Sequence, residues 1–357
     1  MKKIIFILFL FLPFKIYAYS TTAHSSILMD MNSQRIIYGD NIHDVQSVAS
    51  ISKIMTCIIA IENFDVNKEV TIGSEILKAY GSGIYIQIGE KMRLIDLLYG
   101  LMLRSGNDAA LAISTAVSKD TNEFVKLMNE KALKLGMKNT TFNNPSGLDE
   151  EKGNMSTAYD MALLMSYAMK NKVFKKIVST KDYALRTNKN IYKWHNKNKL
   201  LSTYKYTTGG KTGYTKIAKR TLVTSAFKDG LALTVVTLND GNDWFDHKKL
   251  YEEAFNEYTS YRILSKGNIK ILNENYYKND ILYLKNNFDY PLIESEKNIL
   301  KIKYEINKKR DYKSSDKVGE AKIYLGDNLI GSNDIYVKKE KKKVNFWEKL
   351  RMAFNDK

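Results

Sequence analysis

The stretch from Ser50 to Ile61, Ser-Ile-Ser-Lys-Ile-Met-Thr-Cys-Ile-Ile-Ala-Ile, constrains this chain more than any other. Ile51, Ile54, Met55, Cys57, Ile58, Ile59, Ala60 and Ile61 leave a helix no polar side, so the pattern predicts a helix buried all round. Such a helix needs a domain built around it. Its first turn nevertheless carries a hydroxyl and an amine, Ser50 and Lys53, spaced to share one helix face. Burial and the positive end of the helix dipole both disfavour an ammonium there, so the Lys53 pKa is expected to fall. A neutral lysine is a base, and a serine hydroxyl becomes a useful nucleophile when a base takes its proton. Free N–H groups at the helix start also help to hold an oxyanion.

The Ser-x-x-Lys spacing recurs at Ser202, Ser225 and Ser314. Ser225 falls in a strand pattern, where positions i and i+3 point to opposite faces. Ser314 sits in a polar turn, and Ser202 precedes no apolar helix. Only Ser50 opens a buried helix. Two further groups follow it along the chain. Ser105-Gly-Asn107 lies in a loop after the amphipathic pattern Leu94, Leu97, Leu98, Leu101, Met102 and before a helix at Ala109. It offers a second hydroxyl to relay a proton to a leaving amine, and an amide to hydrogen-bond a peptide. Lys211-Thr-Gly213 enters the first strand of a β-rich section. Gly213 admits the close backbone approach that a docked peptide needs, and Lys211 and Thr212 suit a terminal carboxylate. The histidines His24, His43, His195 and His247 show no zinc-type pairing and Cys57 is alone, so no metal site is expected.

A length of 357 residues allows two domains, and 44% hydrophobic residues exclude a disordered chain. Ser26–Asp30 and Arg35–Tyr38 read as a hairpin. Phe124, Leu127, Met128, Ala132 and Leu135 predict a helix stopped at Gly136, and Thr157 with Asp160 predicts a capped helix through Met169. After about residue 207 the period becomes that of strands: Thr221–Phe227 and Leu231–Leu238 flank the turn signal Asp229-Gly230. A helix around Lys248–Tyr258 closes this part. Short strands then follow, such as 269–272 and 321–325, punctuated by Gly319, Gly326 and Gly331.

The ends of the chain suggest a location. Lys2 and Lys3 precede an apolar run, Ile4–Phe14, too short to span a bilayer comfortably, and Ala18 is a small residue for cleavage. This reads as an export signal over residues 1–18. Lys338–Lys343 is a basic run, after which Phe346, Leu350 and Phe354 recur at helical spacing beside Trp347. That pattern suits a membrane interface. Lys and Arg total 56 against 39 Asp and Glu, a net charge of +17. In an exported chain that excess faces a cell wall or an anionic phospholipid surface, and nucleic acid is excluded as a partner.

Ser-x-x-Lys, Ser-x-Asn and Lys-Thr-Gly, in this order, resemble the signature of the penicillin-recognising serine enzymes. Ser105-Gly-Asn-Asp-Ala109, Phe142-Asn-Asn-Pro-Ser-Gly-Leu148, Ser156-Thr-Ala-Tyr-Asp-Met-Ala162, Asn198-Lys-Leu-Leu201 and Lys211-Thr-Gly-Tyr-Thr215 narrow the resemblance. Over about residues 25–258 the chain resembles the exported D-alanyl-D-alanine carboxypeptidases, the low-molecular-mass penicillin-binding proteins. The resemblance implies an α/β serine transpeptidase/β-lactamase-like catalytic domain, an antiparallel sheet flanked by helices, over 19–260. It implies a small β-rich domain over 261–337 and an amphipathic membrane-anchoring helix over 338–357, on the periplasmic side of the cytoplasmic membrane.

It also implies roles. Ser50 attacks the carbonyl between two terminal D-alanines and Lys53 accepts its proton. The N–H groups of Ser50 and Tyr214, beside Gly213, form the oxyanion hole. Ser105 with Lys211 carries a proton to the departing D-alanine. Asn107 orients Lys53 and the substrate amide, and Thr212 binds the carboxylate. Water then hydrolyses the acyl-enzyme, with no metal or cofactor. The implied partners are peptidoglycan stem peptides, with β-lactams as covalent inhibitors. Cutting of cross-linked peptidoglycan, or an inactive wall-binding homologue, are the alternatives. A class A β-lactamase would need a Glu-x-x-Leu-Asn segment between Asn107 and Lys211, and there is none. Two departures stand out. Many members carry glycine where this chain has Lys219, and many place an arginine near Asn242–Asp246, where this chain has Asp243 and Asp246.

Overall fold

The computed structural model describes residues 19–118, 120–149, 153–272 and 274–340. The chain divides into two compact units, the first ending at Glu257 and the second beginning at Tyr258.

The first unit is built on a five-stranded antiparallel sheet. The predicted first hairpin forms as β1 (Ser25–Asp30) and β2 (Ile36–Asp40). Three minor ladders follow: β3 (Gln46–Ser47) with β6 (Met155–Ser156), β4 (Glu69–Thr71) with β5 (Lys91–Arg93), and β7 (Asp182–Arg186) with β8 (Ile191–His195). The β-rich section supplies β9 (Thr207–Thr215), β10 (Lys219–Lys228) and β11 (Leu231–Leu238). Strand order is β2-β1-β11-β10-β9, so the strand bearing Lys211-Thr-Gly213 is an edge. An edge leaves one row of backbone groups unpaired, which is where an extended peptide adds itself.

The helices of this unit are α1 (Lys53–Asn63), α2 (Leu94–Tyr99), α3 (Asn107–Val117), α4 (Thr121–Lys134), α5 (Ala158–Ala168), α6 (Lys172–Ser179), α7 (Leu200–Thr203) and α8 (Asp243–Glu257). Every residue of α1 from Lys53 to Ala60 is buried, and the helix packs against α3, α4, α5 and α6. Asp120 and Thr157 cap α4 and α5 by accepting from Glu123 N and Asp160 N. Gly136 takes the left-handed conformation just beyond α4. Helix α8 starts at Asp243, five residues before the predicted start. Asp243, Asp246 and His247 are buried in its first turns, a polar stretch that hides the helix from an apolar-period reading.

The sheet has two covered faces. Ile27, Met29, Val223, Val236 and Leu238 join the core around α1 and α5. The alternate residues meet α8, whose His247 is bonded to Thr224 and Thr237 and whose Tyr251 is bonded to Thr224. Burial pushes the His247 pKa down to about 3, so this histidine is a neutral strut between sheet and helix.

The second unit opens with β12 (Thr259–Leu264), paired with β15 (Phe288–Leu292). Its main sheet runs β13 (Gly267–Ile269), β14 (Ile281–Leu284), β18 (Asn328–Lys338), β17 (Lys317–Leu325), β16 (Leu300–Ile306). Leu264, Leu282, Leu284, Val318, Ile323, Ile335 and Val337 form its core. The strand predicted over 269–272 ends at Ile269 instead. Residues 1–18 and 341–357, which hold the expected signal and most of the expected tail helix, lie outside the described residues.

Candidate active site

Ser50 stands in a 3-10 turn, Ala49–Ser52, that feeds directly into α1. The α-helix therefore begins at Lys53 and not at Ser50. The tighter turn nearly eclipses positions i and i+3, and Lys53 Nζ lies 3.0 Å from Ser50 Oγ. Ala49 is held at φ +50, a left-handed conformation unusual for alanine. Gly147 packs on it: a Cβ there would fall 2.1 Å from the Ala49 carbonyl oxygen, and Gly147 is itself at φ +75. Only glycine fits both conditions.

The Lys53 side chain is fully buried. Its nitrogen also reaches Asn107 Oδ1 at 2.7 Å and the Ser146 carbonyl. Both of these oxygens only accept. A neutral amine gives its two hydrogens to them and keeps its lone pair for the Ser50 hydroxyl. Burial, and then the charge of Lys197, lower the Lys53 pKa from 10.5 to about 7, against a smaller opposing pull from Asp108. The base is thus available near neutrality.

Asn107 is the first residue of α3. Its Nδ2 donates to Tyr80 O at 2.6 Å and its backbone N–H to Ser82 O at 2.8 Å. Ser105 follows a π-helical turn, Gly100–Arg104, and takes φ +64, which aims its hydroxyl back at the sheet. Lys211 Nζ lies 3.1 Å from Ser105 Oγ. Lys211 is buried, and desolvation together with repulsion from Lys53 and Lys197 holds its pKa well below the usual lysine value. Gly213 brings β9 against Ser50. A Cβ built there would lie 2.4 Å from Thr221 Oγ1 and 3.0 Å from Ser50 N.

All eight residues singled out in the sequence therefore converge. Lys53, Asn107 and Lys211 form the buried floor. Ser50, Ser105, Thr212, Gly213 and Tyr214 line a cleft of about 330 Å³ above it. Of the Ser-x-x-Lys decoys, Ser225 has its Oγ bonded to Thr208 within the sheet.

Four participants escaped the sequence reading. The Ser146 carbonyl is presented by Asn144, whose Oδ1 accepts from Ser146 N, Ser146 Oγ and Gly147 N. The Asn-Pro-Ser-Gly turn signal was the available clue. Asp108 accepts the N–H groups of Ile84 and Tyr85, fastening the loop that carries Ser82 to the rim of the cleft. Lys197 and Arg220 also line the cleft. Lys219 takes φ +56, so the place where many members carry glycine is one that requires a left-handed backbone.

Comparison with known proteins agrees with this geometry. A family model described as D-alanyl-D-alanine carboxypeptidase matches residues 14–242, and one described as the penicillin-binding protein 5 C-terminal domain matches 258–343. The chain is 35% identical over 256 residues to the D-alanyl-D-alanine carboxypeptidase DacF of Bacillus subtilis, covering 69% of this chain and 65% of that protein. It thus spans just under two thirds of that relative. It is 28% identical to DacD of Escherichia coli over 89% of this chain and 87% of the relative. A crystal structure of penicillin-binding protein 5 from Haemophilus influenzae superposes with a TM-score of 0.76 at 26% identity, covering 90% of this chain and 98% of that one.

Proposed function

The chain belongs to the D-alanyl-D-alanine carboxypeptidase family, and from that premise we propose that it removes the terminal D-alanine from peptidoglycan stem peptides through an acyl-enzyme on Ser50. The observation that carries the reading is the Lys53 amine, with two acceptors for its hydrogens and its remaining direction on Ser50 Oγ.

The steps are those the family resemblance implies, and the geometry supports them. The substrate lies along the free edge of β9 as an added strand. Lys53 takes the Ser50 proton as Oγ attacks the carbonyl between the two D-alanines. The N–H groups of Ser50 and Tyr214 receive the oxyanion; the closeness of Gly213 to Ser50 N supports that pairing. The Ser105 hydroxyl, polarised by Lys211, passes its proton to the departing amine and takes back the one that Lys53 accepted from Ser50, so the lysine is neutral again. Asn107 holds Lys53 in aim, and Thr212 meets the terminal carboxylate. Water, activated by the same lysine, then releases the shortened peptide.

A fluorescent penicillin should label the protein covalently, and Ser50→Ala should abolish the label. D-Alanine should be released from a pentapeptide faster than a cross-linked dimer is split into its monomers; the reverse order would make the enzyme an endopeptidase. An unlabelled native protein would remove the enzymatic reading altogether. We propose further that residues 338–357 hold the protein on an anionic membrane surface after export. No helix among the described residues is long and apolar enough to cross a membrane. Removal of 338–357 should move the protein to the soluble fraction, and retention at the membrane would locate the anchor elsewhere.

A further inference from the structure

A D-alanine leaving group ends in a carboxylate, and Thr212 offers it one hydroxyl. An arginine is sought near Asn242–Asp246 and is absent, yet the guanidinium stands one strand away. Arg220 lies in β10, directly paired with Tyr214 of β9. Side chains alternate along a strand, so Thr212 and Tyr214 share a face of the sheet, and Arg220 shares it with them. Thr212 and Arg220 are diagonal neighbours across this ladder, roughly 7–8 Å apart at the backbone, which an arginine side chain bridges. Both line the cleft over Ser50.

The guanidinium is already aimed. Its Nε and Nη2 donate to Asp243 Oδ2 and Oδ1 at 3.1 and 2.6 Å. The Asp243 side chain is only 3% exposed, whereas that of Arg220 is 42% exposed. The Trp244 ring lies 5.8 Å from the guanidinium carbon. A guanidinium held along its Nε–Nη2 edge keeps free hydrogens on the Nη1–Nη2 edge, the geometry that fits a second carboxylate. Among the described residues Nη1 has no protein partner.

We propose that Arg220, oriented by Asp243, grips the carboxylate of the substrate's terminal D-alanine together with Thr212. Asp243 then stands where an arginine is sought because its task is to hold the cation supplied by β10. This assignment rests on the carboxypeptidase reading above and specifies how that site selects a free C-terminus. Lys199 also lines the cleft, but as a point charge on a flexible stem it lacks the planar fork.

The test compares a peptide ending in D-Ala-D-Ala with the same peptide ending in D-alaninamide, by kcat/KM. The unaltered enzyme should prefer the acid. Arg220→Gln should reduce that preference by about 10-fold or more, as loss of a charge-assisted hydrogen bond implies, and Arg220→Lys should restore part of it. Arg220→Gln/Asp243→Asn, which leaves no buried carboxylate unpaired, should lose the preference equally at a melting temperature near that of the unaltered protein. An unchanged preference in both Gln variants, or an equal fall in Lys199→Ala, would overturn the assignment while leaving the carboxypeptidase reading intact. Failure of the unaltered enzyme to release D-alanine or to accept penicillin would overturn that reading, and this one with it.

Discussion

Lys53 is the residue on which the proposed chemistry turns, and its surroundings set a pH dependence with a definite sign. Acylation needs the neutral amine, so kcat/KM and the penicillin acylation rate should rise as pH passes through about 7 and level off above it. Stability should move the same way. The unfolded chain has an ordinary lysine with a pKa of 10.5 and binds a proton that the native state has released. Between about 7 and 10.5 this group therefore makes the folded state more stable as pH rises, which denaturant midpoints across that range would register. Lys53→Arg keeps a cation that does not deprotonate in proteins. It should lower acylation by roughly 10²–10⁴-fold, the usual worth of a general base. A Lys53→Arg protein that takes up penicillin at the native rate would show that another base serves Ser50. The buried lysine and its serine were legible in the sequence because an amine in the first turn of a helix that is apolar on every side must be buried with that helix. Arg220 was not legible. Its meaning depends on a cross-strand neighbour and on an aspartate 23 positions away, and neither relation has a local period.

At the scale of elements, three junctions clamp together segments distant in the chain, two by close backbone approach and one by hydrogen bonds. The turn at Asn144–Gly147 meets the turn at Ala49, β9 meets Ser50 through Gly213, and the loop around Ser82 is tied to α3 by Asp108. Gly147→Ala places a methyl group 2.1 Å from a backbone oxygen that has no easy way to move, at a left-handed φ. We expect it to destabilise the protein by roughly 2–4 kcal/mol and to displace the Ser146 carbonyl from Lys53. Thermal melting and penicillin labelling should both report the change. Gly213→Ala meets a hydroxyl, Thr221 Oγ1, at 2.4 Å and the Ser50 amide at 3.0 Å. The edge strand can retreat by a few tenths of an ångström, so the expected outcome is slower acylation with a modest loss of stability, about 1–3 kcal/mol. Unaltered acylation in Gly213→Ala would mean that β9 does not set the oxyanion site. The elements themselves were largely readable from period and caps. The exceptions were α8, whose first turns are buried but polar, and the 3-10 turn at Ser50, whose pitch no hydrophobic pattern distinguishes from that of an α-helix.

For the whole molecule, the residues of the described site all belong to the unit that ends at Glu257. A chain truncated after Glu257 should therefore still be acylated by penicillin at a rate within a few-fold of the full-length protein. Loss of labelling in a truncated chain that remains folded would assign the second unit a part in the site. The acyl-enzyme formed with a β-lactam should also persist, because the Glu-x-x-Leu-Asn segment of class A β-lactamases does not occur between Asn107 and Lys211. Time-resolved intact-mass measurement would follow its decay. By itself the sequence pointed to the groups proposed to carry the chemistry: a serine beside a buried amine, a second hydroxyl with an amide, and a lysine-threonine-glycine strand. The first pair follows from short-range spacing, because burial and helix geometry act within a few residues, and the other two gained their meaning from the order of the three motifs and the family resemblance it carries. Tertiary structure alone decided the partners of those groups, namely the Ser146 carbonyl on Lys53, Lys197 beside it, and Arg220 leashed to Asp243 at the mouth of the cleft. Such partnerships depend on chain segments meeting across the core. Hydrogen bonds and charges act over a few ångströms in space, and that distance bears no fixed relation to separation along the backbone.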